Sequence, residues 1–246
     1  MTLLPSAFSG EILLNDLLQI SPAVAERFPT YHGLVLFASG LKNGPSDKRS
    51  QTLLREAEEH ARRMFVATPP AEHPHLAAWR EAFRAFGVKP QRMMNSAEAL
   101  ITRVIKGGEL PAINRLTDAY NAVSVRFVVP CGGEDLAQVV GPVTLKFADG
   151  TEPFETTKDG APFIDQPVPG EVVWADEAGV TCRAWNWRQG TRTRLTEDTT
   201  EAYFLFDARS PMTSGNLEQA GDALETLLGE LSPGCRIERV RLGPVG

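Results

Sequence analysis

The sequence predicts an α+β fold, on three observations. Apolar residues recur at helical spacing through the first half of the chain and alternate at strand spacing through the second. The order is helices and then strands, with no regular strand–helix–strand repeat. A helix-rich N-terminal half is therefore expected, followed by a mixed or antiparallel sheet in the C-terminal half. The 246 residues are 42% hydrophobic and 23% charged, which suits a full core and argues against disorder. Three portions are expected in one compact domain: a helical and strand portion over 1–88, a core over 89–210, and a C-terminal helix with closing strand over 211–246.

The elements follow in order. A short apolar run at 34–37, bounded by glycines, reads as a buried strand. Leu53, Leu54, Ala57, Ala61, Met64 and Phe65 share one face of a helix over 49–65. After a loop with Pro69, Pro70 and Pro74, a second helix spans 76–86 and stops at Gly87. Asn95 with Glu98 three positions on has the spacing of a helix cap, and that helix ends at Gly107-Gly108. Pro111 reads as a first-turn proline of a helix across 113–123. Beyond Pro130 the period becomes two: Val143, Leu145 and Phe147 alternate with Thr144 and Lys146, and Asp149-Gly150 reads as a hairpin turn. Further strands are expected at 171–175, 180–187 and 202–207, then a helix over 217–231 and a closing strand in CRIERVRL.

Composition narrows the chemistry. A net charge of −6 makes the chain a poor general polyanion binder, so any nucleic-acid contact needs a local basic patch. Cys131, Cys182 and Cys235 are odd in number and form no CxxC, which fits a reducing cytoplasm rather than a disulfide or zinc framework. The N-terminal MTLLPSAFSGEILL lacks a basic leader pattern, and nothing approaches the roughly 20 apolar residues of a membrane span, so no membrane association is expected. GxSxG, GxGxxG, Walker A and HExxH patterns are absent. His73 and His75 lie in a proline-rich stretch without a third ligand and read as surface loop. Neither metal nor cofactor is called for.

Four polar clusters stand out, each with two readings. Trp185-Asn186-Trp187-Arg188, read as a strand, puts the tryptophans on one side and Asn186 and Arg188 on the other. The tryptophans are then core, and the polar side is either solvated or lines a pocket with Arg183. The run 191–199 is dense in hydroxyls and charge: Arg192, Thr193 and Arg194 either reach a ligand or tie down their own loop. Asn114, Asp118 and Asn121 share one helix face, which is either exposed, a hydrogen-bond network or a pocket wall. Lys89, Arg92, Arg103 and Lys106, with Arg84, form the most basic stretch. It is either an RNA contact or a face paired with Glu81, Glu98 and Glu109.

These strings carry a family resemblance. The segment over about 90–208, with PAIN at 111–114, Asp118, YNAV at 120–123, Pro130, Asp135 and Glu197-Asp198-Thr199, resembles the B3/B4 domain of the β subunit of bacterial phenylalanyl-tRNA synthetase. KPQRMMNSAEAL, LPAIN, YNAVS, GPV, PGEVVW and WNWR bring it nearer to free-standing relatives of that domain. The resemblance implies an α+β domain around a central cleft, a link to tRNA or aminoacyl-tRNA, and an editing site that removes mischarged tyrosine. Asn121 is retained. The family's editing histidine falls at Gly132 and its pocket glutamate near Arg192, a change that would turn the pocket toward a carboxylate or phosphate. The class II synthetase motifs are missing, so aminoacylation is not expected.

Two functions are carried forward. In the first, the protein binds tRNA and hydrolyses mischarged aminoacyl-tRNA in trans. Asn121 and Ser124 position the ester for attack by water, with help from the tRNA's terminal hydroxyl, while Lys89, Arg92 and Arg103 hold phosphates. In the second, the same cleft takes a small anionic metabolite, clamped by Arg183, Arg188 and Arg192 and oriented by Asn114 and Asn121.

Overall fold

The computed structural model describes residues 14–243. The segment 1–13, expected to lack a leader, lies outside them. In chain order the elements are α1 (Leu14–Leu17), β1 (Leu18–Ile20), α2 (Pro22–Arg27), β2 (Tyr31–Ser39), α3 (Lys48–Met64), α4 (Pro74–Ala85), α5 (Ser96–Ile105) and α6 (Arg115–Phe127). Then come β3 (Cys131–Asp135), β4 (Val143–Phe147), β5 (Phe154–Lys158), β6 (Ala161–Asp165), β7 (Val172–Asp176), β8 (Gly179–Arg183), β9 (Arg188–Gln189), β10 (Glu201–Arg209), α7 (Ser214–Leu231) and β11 (Arg236–Leu242). The fold is α+β, as the periodicities indicate. Among the described residues no helix is long and apolar enough to cross a membrane.

Side-chain caps set the helix starts. Asp47 accepts from Ser50 N, and Ser50 Oγ accepts in return from Asp47 N, which closes a box ahead of α3. Asn95 accepts from Glu98 N at 2.9 Å, and Asn114 accepts from Thr117 N at 2.9 Å. Such caps are each worth about 1 kcal/mol. The cap at Asn114 corrects one expectation: α6 starts at Arg115, so Pro111 precedes the helix instead of occupying its first turn.

Two sheets stack. The first runs β11-β2-β10-β3 and is antiparallel throughout; the second runs β1-β4-β7-β8-β9, with only β1 and β4 parallel. The strand alternation separates two cores. Leu34, Leu36 and Ala38 of β2, with Ala202, Phe204 and Phe206 of β10, pack with buried residues of α3, α5, α6 and α7. Val35, Phe37, Tyr203 and Leu205 point the other way and pack with Val143, Leu145, Val172 and Trp174 of the second sheet. α6 is buried over all of 116–125, between α3, α7 and β3.

Three local readings are corrected. Asp149-Gly150 makes no hairpin, since β4 pairs with β1 and β7; Glu152 instead accepts from both backbone amides, at 3.1 and 3.0 Å, and pins a loop. The hairpin of this region is β5–β6. His75 is no surface residue: it lies buried in the first turn of α4, with Nδ1 bonded to Val128 O and Nε2 accepting from Trp79 Nε1 at 3.1 Å. Burial holds this imidazole neutral, with its pKa lowered to about 4. The strand expected over 180–187 ends at Arg183, because Ala184 and Trp185 take positive φ of 43° and 64°. Left-handed backbone costs such residues roughly 1–3 kcal/mol. The turn is held by what it buries: the Trp185 ring meets Phe28, Tyr31 and Trp79 edge-on at 5.0, 5.0 and 5.2 Å.

Candidate functional site

The same turn builds a pocket. Driving Trp185 into the core turns Asn186 inward and leaves Trp187 half-buried and Arg188 exposed. Asn186 O accepts from Ser96 N at 2.9 Å, so the turn is fastened to the start of α5. Across from it run β3 and β10. Glu134 lies opposite Tyr203 and Gly132 opposite Leu205, so Glu134, Gly132, Leu205 and Asp207 share one face of the first sheet. Tyr120 and Asn121 of α6 complete the lining. The cavity measures about 130 Å³, close to the engineered void of about 150 Å³ that accepts benzene.

Its electrostatics are unusual. Glu134 and Asp207 are 5% and 4% exposed, and among the described residues neither has a cation within ion-pair distance. Each is held by a tyrosine: Tyr203 OH donates to Glu134 Oε2 at 2.8 Å, and Tyr31 OH donates to Asp207 Oδ1 at 2.7 Å. Burial pushes both carboxyls up to about 7, against the smaller opposing effect of those hydrogen bonds. It also raises the thiols of Cys131 and Cys182, which line the same cavity, above their ordinary value. Among the described residues three buried polar atoms of the lining have no partner: Asn186 Oδ1, an acceptor, and Trp174 Nε1 and Trp185 Nε1, both donors.

Of the residues singled out from sequence, the structure brings Asn121, Asn186 and Arg188 to this pocket. The others are engaged elsewhere. Asn114 caps α6 and donates to Leu195 O at 3.2 Å. Asp118, 0% exposed, accepts from Ile113 N and Ser50 Oγ. Ser124 Oγ donates to Val129 O at 2.7 Å and closes the end of α6. Thr193 is buried, and its carbonyl accepts from Asp135 N. Arg183 grips Glu171 with two nitrogens, at 3.0 and 2.8 Å, and reaches Asp165 with a third at 2.6 Å. Arg192 is bidentate on Asp176, at 2.9 and 2.6 Å. Lys89 and Arg92 are exposed, in the segment leading to Ser96 of the pocket lining; Arg103 is exposed on α5 and donates to Glu109 O. Of the acids suggested as their partners, Glu98 pairs with Arg80 and Glu109 with Arg55.

The acids were missed in the sequence. Asp207 carried a signal: it continues the inward series Tyr203, Leu205, and a carboxylate at an apolar-face position of a buried strand marks either a partner or a site. Glu134, in CGGED, carried none, because its face is fixed only by the register with β10.

A family model for the B3/4 domain matches residues 78–223. No curated protein matches the chain. Among solved structures it is similar to an N-terminal fragment of the phenylalanyl-tRNA synthetase β-subunit from Pyrococcus horikoshii, with 12% identity and a TM-score of 0.45, over 92% of this chain and 54% of that one. The chain thus spans about half the length of that fragment.

Proposed function

The chain belongs to the B3/4 domain family, and from that premise we propose that its pocket receives the aminoacyl end of a charged tRNA and that water cleaves the ester there. The observation that carries this reading is the pocket itself, a small buried space with partly unsatisfied polar walls at its inner end and an exposed arginine in its lining. The nucleic acid stays outside. Arg188 in the lining, together with exposed Lys89 and Arg92 in the segment before Ser96, supplies the positive charge on an otherwise acidic chain, and steep salt dependence of binding is expected.

The chemistry needs no bound ion. Water oxygen bonds to the acyl carbon, the bond to the ribose oxygen breaks, and that oxygen takes a proton. Asn121 orients the ester carbonyl, a role Ser124 does not share because its hydroxyl is spent on Val129. Glu134 accepts the water's proton: a carboxyl near pH 7 is matched to that task at neutral pH. Gly132 beside it leaves room, since a Cβ there would meet nothing within 4 Å. The anionic-metabolite reading loses two of its three arginines, because Arg183 and Arg192 are already neutralised by internal carboxylates.

The test is deacylation and binding measured together, with tyrosine-charged phenylalanine tRNA against a panel of other charged tRNAs. Release of the amino acid above the spontaneous rate is expected, slowed at least tenfold by Asn121→Ala and by Glu134→Gln. Binding without release removes the hydrolysis and leaves an RNA-binding module; neither binding nor release removes the reading.

A further inference from the structure

Asn186 and Asp207 present acceptors to the pocket, in a lining that also holds the unpartnered indole donors of Trp174 and Trp185. Asn186 turns its Nδ2 toward Asp207 Oδ2, at a long 3.4 Å, which leaves its Oδ1 buried without a partner. Asp207 Oδ1 takes the Tyr31 hydroxyl, and a carboxylate oxygen has room for about two donors. Asn186 and Asp207 therefore hold acceptor capacity in reserve, side by side, in a lining that also includes the rings of Trp174 and Trp187. Among the described lining residues Arg188 is the one cation, and it is exposed.

Ligand groups differ in how well they meet this demand. A hydroxyl brings one donor, and an amide brings an acceptor along with its donors. A primary ammonium brings three donors and the positive charge that a buried carboxylate otherwise lacks. We propose that the pocket selects ligands carrying a free primary ammonium, such as the α-ammonium of an aminoacyl ester, held between Asn186 Oδ1 and the Asp207 carboxylate. The proposal rests on the reading that this pocket is where the aminoacyl group sits, and it adds what is recognised there. N-acylation removes the charge and two of the three donors that would meet Asn186 Oδ1 and the Asp207 carboxylate.

The experiment is calorimetric titration of the full chain with the methyl esters of alanine and tyrosine and with their N-acetyl forms, beside deacylation of charged tRNA with and without N-acetylation of the amino acid. The free esters are expected to bind at least tenfold more tightly than the acetylated ones. Asn186→Leu should erase that margin while leaving the melting temperature near that of the parent; Asp207→Asn, checked by the same melt, should do likewise. Equal binding of the two forms, or binding of neither, overturns the proposal. If charged tRNA is deacylated equally well with and without N-acetylation, amine selection falls and the deacylase reading stands. If the esters bind amine-selectively while tRNA is neither bound nor cleaved, the amine site stands and the tRNA reading falls.

Discussion

Two groups of buried carboxylates lie close together in this molecule and are treated in opposite ways. Glu171 and Asp176 are each met by an arginine with two nitrogens, and Asp176 also accepts from the backbone of Val140, Ala178 and Gly179. Glu134 and Asp207, on the facing sheet, are met by tyrosines and an amide and, among the described residues, by no cation. A buried charge that is fully paired holds structure. A buried acid kept near neutrality by burial alone can still exchange protons or accept a donor from a ligand, and such groups concentrate at functional sites. The sequence reading singled out Asn121, Ser124 and several arginines and neither of these acids, yet Glu134 and Asp207 line the pocket.

Breaking the paired group should have the largest effect. Arg183→Met leaves Glu171, 2% exposed, without its bidentate partner, and a loss of roughly 3–5 kcal/mol is expected in urea unfolding. The pair Glu134 and Asp207 comes next, through pH. Their folded pKa of about 7 lies above the unfolded values of 4.5 and 3.8, so the folded state holds more protons across that interval. Stability is therefore fully present below about pH 4 and falls as pH rises through 7, by roughly 3 kcal/mol for Glu134 and roughly 4 kcal/mol for Asp207. Urea midpoints at pH 5 and 8 measure this, and Glu134→Gln should flatten the decline by about half. A midpoint that rises over the same interval would show both acids to be ordinary.

Smaller effects sharpen the contrast. Arg192→Met should cost only about 1–3 kcal/mol, because three backbone amides remain on Asp176, and it should leave deacylation unchanged. Adjacent glycines divide along the same line. A Cβ at Gly133 meets Phe204 Cδ1 at 2.9 Å, so Gly133→Ala should overpack the core by about 1–3 kcal/mol. Gly132→Ala faces the open pocket and should stay within about 0.5 kcal/mol of the parent by thermal melt.

What the sequence made legible was local. The cap at Asn95, the apolar face of α3 and the alternation of β4 need only neighbours within a turn or a strand. The polar helix face of Asn114, Asp118 and Asn121 was visible too, but its division of labour was not: Asp118 is answered by Ser50, 68 positions away, and only Asn121 reaches the pocket. The engagement of Arg183 and Arg192 depends on Glu171 and Asp176, which the strand pairing β7–β8 and the loop after β9 bring within reach. The turn at Ala184 and Trp185 opposes local preference and exists because four distant aromatic rings receive one indole. No window of the sequence contains them.

The order of the first sheet has a practical side. Residues 78–223 take in β10 and β3 but omit β2 and β11, the two strands that extend that sheet beyond β10. Produced by themselves, they would present nine residues of β10 as a bare edge, rich in Tyr, Phe and Leu, which is the kind of surface that recruits further copies into aggregates. The boundary by which the family is recognised is thus narrower than the boundary that completes this sheet.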